Sequence, residues 1–462
     1  MKKGMREAGT REIFETRAVP SALMTMALPT IMSQLITLIY NIADTWFIGQ
    51  TDNPYMVAAS SLVLTIFLMT SAIAALFGTG GGSLAVRLLG QKEEEEARKV
   101  ASLTLVMASV AAIIFSLLCL IFMDPLLRLL GASEFTIGYA KQYLMFVVVL
   151  GSLPTILSNT MSTMIRNIGY SREAGLGLGM GGVLNVILDP LFMFVILPDG
   201  YQVLGAAIAT MLSNVASCLY FVFLYQKLKG KTILALPRKI EKIKRESLIS
   251  LFSVGVPAGL SLFLFDLTNM VINRLSSLHG DIQLAAMGIV LKVERLPLNI
   301  GIGICLGMVP LGAYNYGAKN YKRMQEFFNA ARLAGIVVAC ICVVLYRLGA
   351  PYIIKAFIAD ADTVRYGTEF LQSRCFATPF MFLSFNMVHF MQAVGKGKYS
   401  FWLAVIRQLV LNIPILLLMN HFFGMSGIVR TQAIADFINV IASYIIYHHT
   451  VGKSLKTQLA QE

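Results

Sequence analysis

Twelve apolar stretches, each about twenty residues or longer, constrain this chain more than any other feature. They lie near 21–48, 56–80, 100–122, 142–165, 174–197, 203–226, 249–276, 283–310, 327–347, 368–393, 399–420 and 424–447. At about 1.5 Å rise per residue, such a stretch crosses the roughly 30 Å hydrocarbon core of a bilayer. No water reaches the backbone there, so each span must close its own hydrogen bonds as a helix. The 462 residues are 56% hydrophobic and 14% charged, with a mean hydropathy of +0.70, far from the balance of a soluble domain. The expected fold is an all-α membrane protein with twelve transmembrane helices.

The charges orient those spans. Net charge is +13, and with the N-terminus inside, the inner loops hold about 26 Lys and Arg against about 4 outside. Both termini are therefore expected in the cytoplasm. The largest basic cluster, Lys227 to Arg245, falls in the central inner loop, where anionic headgroups are a better partner than nucleic acid. The first twenty residues run straight into a full span and read as a cytoplasmic lead-in, not a cleaved signal. The six cysteines have no zinc or redox spacing and read as small buried hydrophobes.

The second half repeats the first. Val256-Pro257 matches Leu28-Pro29, and Tyr316-Gly317-Ala318-Lys319 matches Leu89-Gly90-Gln91-Lys92. Pro154 with Gly169 recurs as Pro379 with Gly395, and Leu204-Gly205-Ala206 as Ser426-Gly427-Ile428. Six spans per repeat leave both copies in one orientation, related by a pseudo-two-fold along the membrane normal. This predicts a cytoplasmic segment 1–20, a first six-helix lobe 21–226, a basic linker 227–248, a second lobe 249–448 and a cytoplasmic tail 449–462. Pro29 and Pro257, deep in spans one and seven, are expected to kink them.

Acids inside the spans are the chemical signal. A carboxylate at bilayer depth costs about 2.5–3.5 kcal/mol on insertion scales, so it normally faces a polar interior and serves function. Asp44 closes Tyr40-Asn-Ile-Ala-Asp44 in span one, and Asp189 ends Asn185-Val-Ile-Leu-Asp189 in span five. Counting inward at 1.5 Å per residue places Asp44 roughly 9 Å, Asp189 roughly 13 Å and Thr210 of span six roughly 10 Å deep. Asn185 and Asp189, four residues apart, share a helix face. Two carboxylates, an amide oxygen and a hydroxyl suit a small hard cation, either sodium held by Asp44 and Asp189 or a shared proton.

The second half adds Asp266, Lys292, Glu294, Arg295, Arg374, Arg407, Arg430 and Asp436. Asp266 and Lys292 fall at similar depth and are expected to pair. Glu294, Asp266, Gln34 and Tyr40 are the candidate lining of a substrate cavity. Gly177-x-Gly179-x-x-Gly182 mimics a dinucleotide fingerprint but sits in an apolar helix, where small residues let helices approach. His389 reads as a packing histidine. The 24 methionines read mostly as packing, with some suited to a deformable wall for varied ligands. No ATP-binding loop or hydrolase motif occurs, so a transporter driven by an ion gradient is expected, without cofactor, and not an enzyme.

These motifs together resemble the multidrug and toxic compound extrusion (MATE) family. The resemblance rests on Pro29 with Tyr40-Asn-Ile-Ala-Asp44-Thr, Asn185-Val-Ile-Leu-Asp189-Pro190 and Gly205-Ala-Ala-Ile-Ala-Thr210. Gly255-Val-Pro257 and Pro310-Leu-Gly-Ala-Tyr-Asn-Tyr-Gly317-Ala-Lys add to it, so it spans essentially the whole chain. It implies two six-helix lobes and export of cationic, amphipathic drugs in exchange for H+ or Na+ by a monomer in the bacterial plasma membrane. It also implies that Asp44, Asn185, Asp189 and Thr210 bind the coupling ion. Some members use second-lobe acids on spans seven and ten, and span ten here has none beyond Glu369 at its outer end. The alternative is a lipid or lipid-linked oligosaccharide flippase of the same superfamily, for which Arg374, Arg407 and Arg430 would line a cationic groove.

Overall fold

A computed structural model describes residues 11–51, 53–234, 243–358 and 360–452, which are helical almost throughout. Among them the only β pairing is one isolated bridge, Lys229 to Thr232. The first ten residues of the expected lead-in, residues 235–242 of the basic linker and 453–462 of the tail lie outside the described residues.

The first six spans are α1 (Val19–Gly49), α2 (Pro54–Gly90), α3 (Glu94–Ile121), the pair α5 (Ile137–Leu144) and α6 (Ser152–Asn167), α7 (Ser171–Pro190) and α8 (Gln202–Leu228). A short surface helix, α4 (Met123–Leu129), precedes α5, as its amphipathic sequence predicts. The second half holds α9 (Arg245–Ser276), α10 (Asp281–Gly317), α11 (Tyr321–Lys355), α12 (Ala361–Arg374), α13 (Thr378–Ala393), α14 (Gly397–Val405) and α15 (Ile413–Tyr447). Single π turns join α5 to α6 (Met145–Leu150), extend α7 (Leu191–Ile196) and join α14 to α15 (Ile406–Asn412).

Among the described residues nine helical segments are individually long and apolar enough to span a bilayer, ten if α5 and α6, bent by 45°, count together. One of these, Gly397–Thr450, is 54 residues long and breaks at Gly424, whose φ of 55° and ψ of −138° suit no side-chain-bearing residue. It therefore supplies spans eleven and twelve. The pair α12 and α13 covers span ten, but at 14 and 16 residues neither helix is long enough to cross a bilayer alone, and α12 carries Asp362, Arg365, Glu369 and Arg374. Twelve spans are thus consistent with the structure.

Helix ends follow local chemistry. Asn53 caps α2 by accepting from the Tyr55 amide at 3.0 Å, with Pro54 opening the helix. Glu94, Glu95 and Glu96 occupy the first turn of α3, at the positive end of its dipole. Asp360 caps α12 through the Thr363 amide at 2.8 Å, and that bond with the Thr363 hydroxyl holds its carboxyl below the usual range. Pro29 and Pro257 lie inside helices that continue past them.

The side chains are sorted as a bilayer requires. Leu117, Leu118, Ile121, Leu345 and Leu348 are each half exposed or more, while Thr104, Ser152, Asn185, Asp189, Asn412 and Asp436 are buried. Lipid is as apolar as leucine, so close packing and interhelical hydrogen bonds hold the helices together. The glycines of α7 serve this: a Cβ on Gly181 would strike the Ser217 hydroxyl, and Ser217 donates to the Gly177 carbonyl at 3.0 Å. Of the six cysteines, Cys119, Cys305, Cys342 and Cys375 are buried, Cys218 is half-buried and Cys340 is exposed.

The chain groups into two compact units, Met1–Thr16 with Met32–Gly259, and Arg17–Ile31 with Leu260–Glu462. Of the three changes of unit, two fall just after Pro29 and Pro257 and one between Thr16 and Arg17. The first unit has apolar clusters around Met161, Met164, Phe221 and Tyr225, and around Ile48, Met56, Leu144 and Val203. The second centres on Ile272, Met287, Tyr346 and Leu371.

Candidate functional site: a buried carboxylate pair

Within the first unit, α1, α7 and α8 bring the expected polar groups together. Asn185 and Asp189 are 2% and 0% exposed. One amide organises them: Asn185 Nδ2 donates to Asp189 Oδ1 at 3.1 Å and to Thr210 Oγ1 at 3.3 Å. Asp44 lies within electrostatic range of Asp189. Tyr40, one turn before Asp44, packs beside Gly182 of α7 and lies within range of both carboxylates.

Among the described residues, three buried oxygens at this place have no hydrogen-bond donor, namely Asp44 Oδ1, Asn185 Oδ1 and Asp189 Oδ2. Buried acceptors nearly always have a partner, and an isolated buried carboxylate charge costs far more than a neutral group. Two carboxylates, an amide oxygen and the Thr210 hydroxyl fit a small monovalent cation or proton. Among the described residues no cluster of three or more His, Cys, Asp or Glu side chains offers a metal site.

Sequence reasoning missed Tyr143. It lies on α5, is 6% exposed, and stands within electrostatic range of Asp44, Asp189 and Tyr40. A tyrosine in an apolar run carries no mark of this. Gln34 is half-buried on α1 and, among the described residues, makes no hydrogen bond to the group.

The second unit treats its acids differently. Arg374 Nε donates to Glu294 Oε2 at 2.7 Å, with both side chains largely buried. Arg407 forks onto Asp436, Nε to Oδ1 at 2.5 Å and Nη2 to Oδ2 at 3.2 Å. The expected pairing of Asp266 with Lys292 is corrected: Lys292 is exposed, and the cation beside Asp266 is Arg295, Nη2 to Oδ1 3.9 Å. Three residues along α10, Arg295 lies on nearly the same face, one turn further on. His389 takes the packing role expected of it, with Nδ1 2.8 Å from the Phe385 carbonyl.

A polytopic helical membrane protein, repeated in sequence, with a carboxylate pair that has no basic partner among the described residues in one half and arginine-paired acids in the other, is the class these features define. The chain belongs to the MatE family, whose model matches it twice, over residues 29–191 and 257–418. It is 30% identical over 437 residues to the multidrug export protein MepA of Staphylococcus aureus, covering 94% of this chain and 95% of the relative. It is also 30% identical to MepA of Staphylococcus saprophyticus over the same shares. A solved structure described as the outward-facing conformation of a multidrug resistance MATE family transporter shares the fold. Its TM-score is 0.90 at 22% identity, covering 97% of this chain and 99% of that one.

Proposed function

We propose that this protein is a secondary active exporter of cationic, amphipathic small molecules, driven by exchange for H+ or Na+ across a bacterial plasma membrane. The observation that carries the reading is the set of three unpartnered buried oxygens on Asp44, Asn185 and Asp189. Acids kept in that state at bilayer depth are costly unless a cation visits them. The names of the staphylococcal relatives support drug export as the task. The protein is proposed to act as a monomer with both termini in the cytoplasm.

Asp44 and Asp189 hold the charge of the ion, Asn185 and Thr210 supply neutral oxygens, and Asn185 positions both neighbours through its Nδ2. Exchange requires that bound cation and bound drug favour different states of the protein, so each weakens the other by the same factor. Among the candidate substrate contacts, Asp266 is the acid left partly exposed, at 26%, with its nearest arginine as far as 3.9 Å. It is the proposed contact for a cationic drug within the second unit. Glu294 is already occupied by Arg374.

The flippase alternative needs free guanidinium groups for a diphosphate. Arg374 and Arg407 are bound to Glu294 and Asp436, which leaves Arg430 alone exposed. Proteoliposomes holding the full chain, with proton and sodium gradients imposed separately, test the proposal. A fluorescent monovalent cation should move against its gradient in one or both cases, and the Asp44→Asn variant should not move it. Equal gradient-driven export by the variant would overturn the reading.

A further inference from the structure

The second unit repeats the hydrogen bond that organises the carboxylate pair. Six residues before the ends of the two matched segments, at 191 and 418, stand Asn185 and Asn412. Five residues after the repeated Gly205 and Gly427 stand Thr210 and Gln432. In the first unit Asn185 Nδ2 donates to Thr210 Oγ1 at 3.3 Å, and in the second Asn412 Nδ2 donates to Gln432 Oε1 at 3.1 Å. Both asparagines are buried, and in both the Oδ1 has no partner. Register and contact agree, although the sequences share little.

The carboxylate has moved. One turn after Asn185 comes Asp189, but one turn after Asn412 comes Leu416. The acid instead follows Gln432 by one turn: Asp436, 0% exposed, accepts from Gln432 Nε2 at 2.5 Å. Its other partner is Arg407, presented by the π turn between α14 and α15. Arg407 is itself 3% exposed, and its guanidinium lies over the Phe385 ring, 4.5 Å from its centroid. A two-bond fork on a carboxylate, backed by an aromatic face, is the strongest way a side chain can supply a positive charge to a buried acid.

We propose that this cluster is a second copy of the cation site, permanently filled: the Arg407 guanidinium stands where the first unit takes an exchangeable monovalent cation. A tethered cation cannot be traded for one from solution, so the second unit stays neutral and only the first responds to ion gradients. The other charged groups around Asp436 do not supply this function. Glu294 on α10 lies within its electrostatic range but is held by Arg374 of α12, and His389 of α13 is placed against the Phe385 carbonyl. Arg407 is thus a specificity-determining residue, setting how many cations the protein can exchange.

The inference rests on the cation site proposed for the first unit, and the test separates the two. The full chain is placed in lipid nanodiscs and its thermal unfolding midpoint followed against pH and sodium concentration. Any cation that binds only the folded state raises the midpoint as its concentration rises. Asp44→Asn alone should lose whichever wild-type dependence is seen, on sodium or on pH; if it keeps that dependence in full, the first-unit site is refuted on its own account. Adding Arg407→Gln should restore a dependence on sodium or protons, because Asp436 must now draw its cation from solution. Adding Asp436→Asn as well should abolish it again. The inference is overturned if the Asp44→Asn/Arg407→Gln protein responds no more than the triple variant. Should Arg407→Gln fail to fold at neutral pH, folding must return at low pH or with Asp436→Asn, and persistent failure in the doubly neutral protein overturns it too.

Discussion

Arg374 Nε lies 2.7 Å from Glu294 Oε2, and this one bond divides the interior acids into two kinds. Glu294 and Asp436 have resident guanidinium partners, whereas Asp44 and Asp189 each keep a buried oxygen with none. The first kind is built into the fold. The second is the pair proposed to bind the coupling ion.

Neutralising the second kind should remove coupling without removing the protein. Asp44→Asn and Asp189→Asn are each expected to abolish gradient-driven export while the protein still inserts. The double variant should be little worse than either, because both groups act in one site. Drug affinity of the purified protein, measured across pH and sodium concentration, provides the check. Full wild-type dependence in Asp44→Asn would move the coupling site elsewhere.

Glu294→Gln should behave as a stability variant. It leaves Arg374 buried at 3% exposure with no counter-charge, a change of about 3–5 kcal/mol in comparable buried pairs. The unfolding midpoint should fall, and export should drop alike for cationic and neutral compounds. Glu294→Gln with Arg374→Met should recover much of the midpoint. A loss confined to cationic compounds, with the midpoint unchanged, would instead make Glu294 a substrate contact. Asp266→Asn is the variant expected to discriminate by substrate charge.

Tyr143→Phe tests the residue that only the structure revealed. Its hydroxyl end belongs to the group around Asp44 and Asp189. Removing a hydroxyl that could serve an entering cation, worth about 0.5–1.5 kcal/mol, should weaken coupling-cation affinity roughly 2- to 10-fold. Drug affinity at saturating cation should not change. An unaltered cation affinity would assign Tyr143 to packing alone.

Topology can be read with single cysteines after the native six are replaced. Cysteines at Asn53, Asp199 and Asn420 should react with an impermeant reagent added to intact cells. Those at Glu95, Lys242 and Lys396 should not. Steady labelling of the second set would contradict the orientation drawn from the basic loops.

Much of this was legible from residues alone. The apolar runs mark the spans because helix is the only way an isolated segment satisfies its backbone in lipid. They mark span ends poorly: the apolar run of span two stops near residue 80, but α2 continues to Gly90, since a helix does not end where hydrophobicity does. The pairing of Asn185 with Asp189 was legible because i and i+4 share a face whatever the tertiary fold. The partnership of Asp266 was misjudged by one turn, since depth alone cannot rank Lys292 against Arg295.

By itself, then, the sequence determined the helical membrane architecture, the internal repeat and the face shared by Asn185 and Asp189. These depend on local periodicity and on what lipid forbids. Tertiary structure alone decided which acids are neutralised. Glu294 and Arg374 are 80 residues apart, Arg407 and Asp436 are 29 apart, and Tyr143 comes within electrostatic range of the carboxylates from another helix. Whether a buried charge is a working group or a closed pair depends on the few ångströms between side chains of different helices, and helix packing sets that distance.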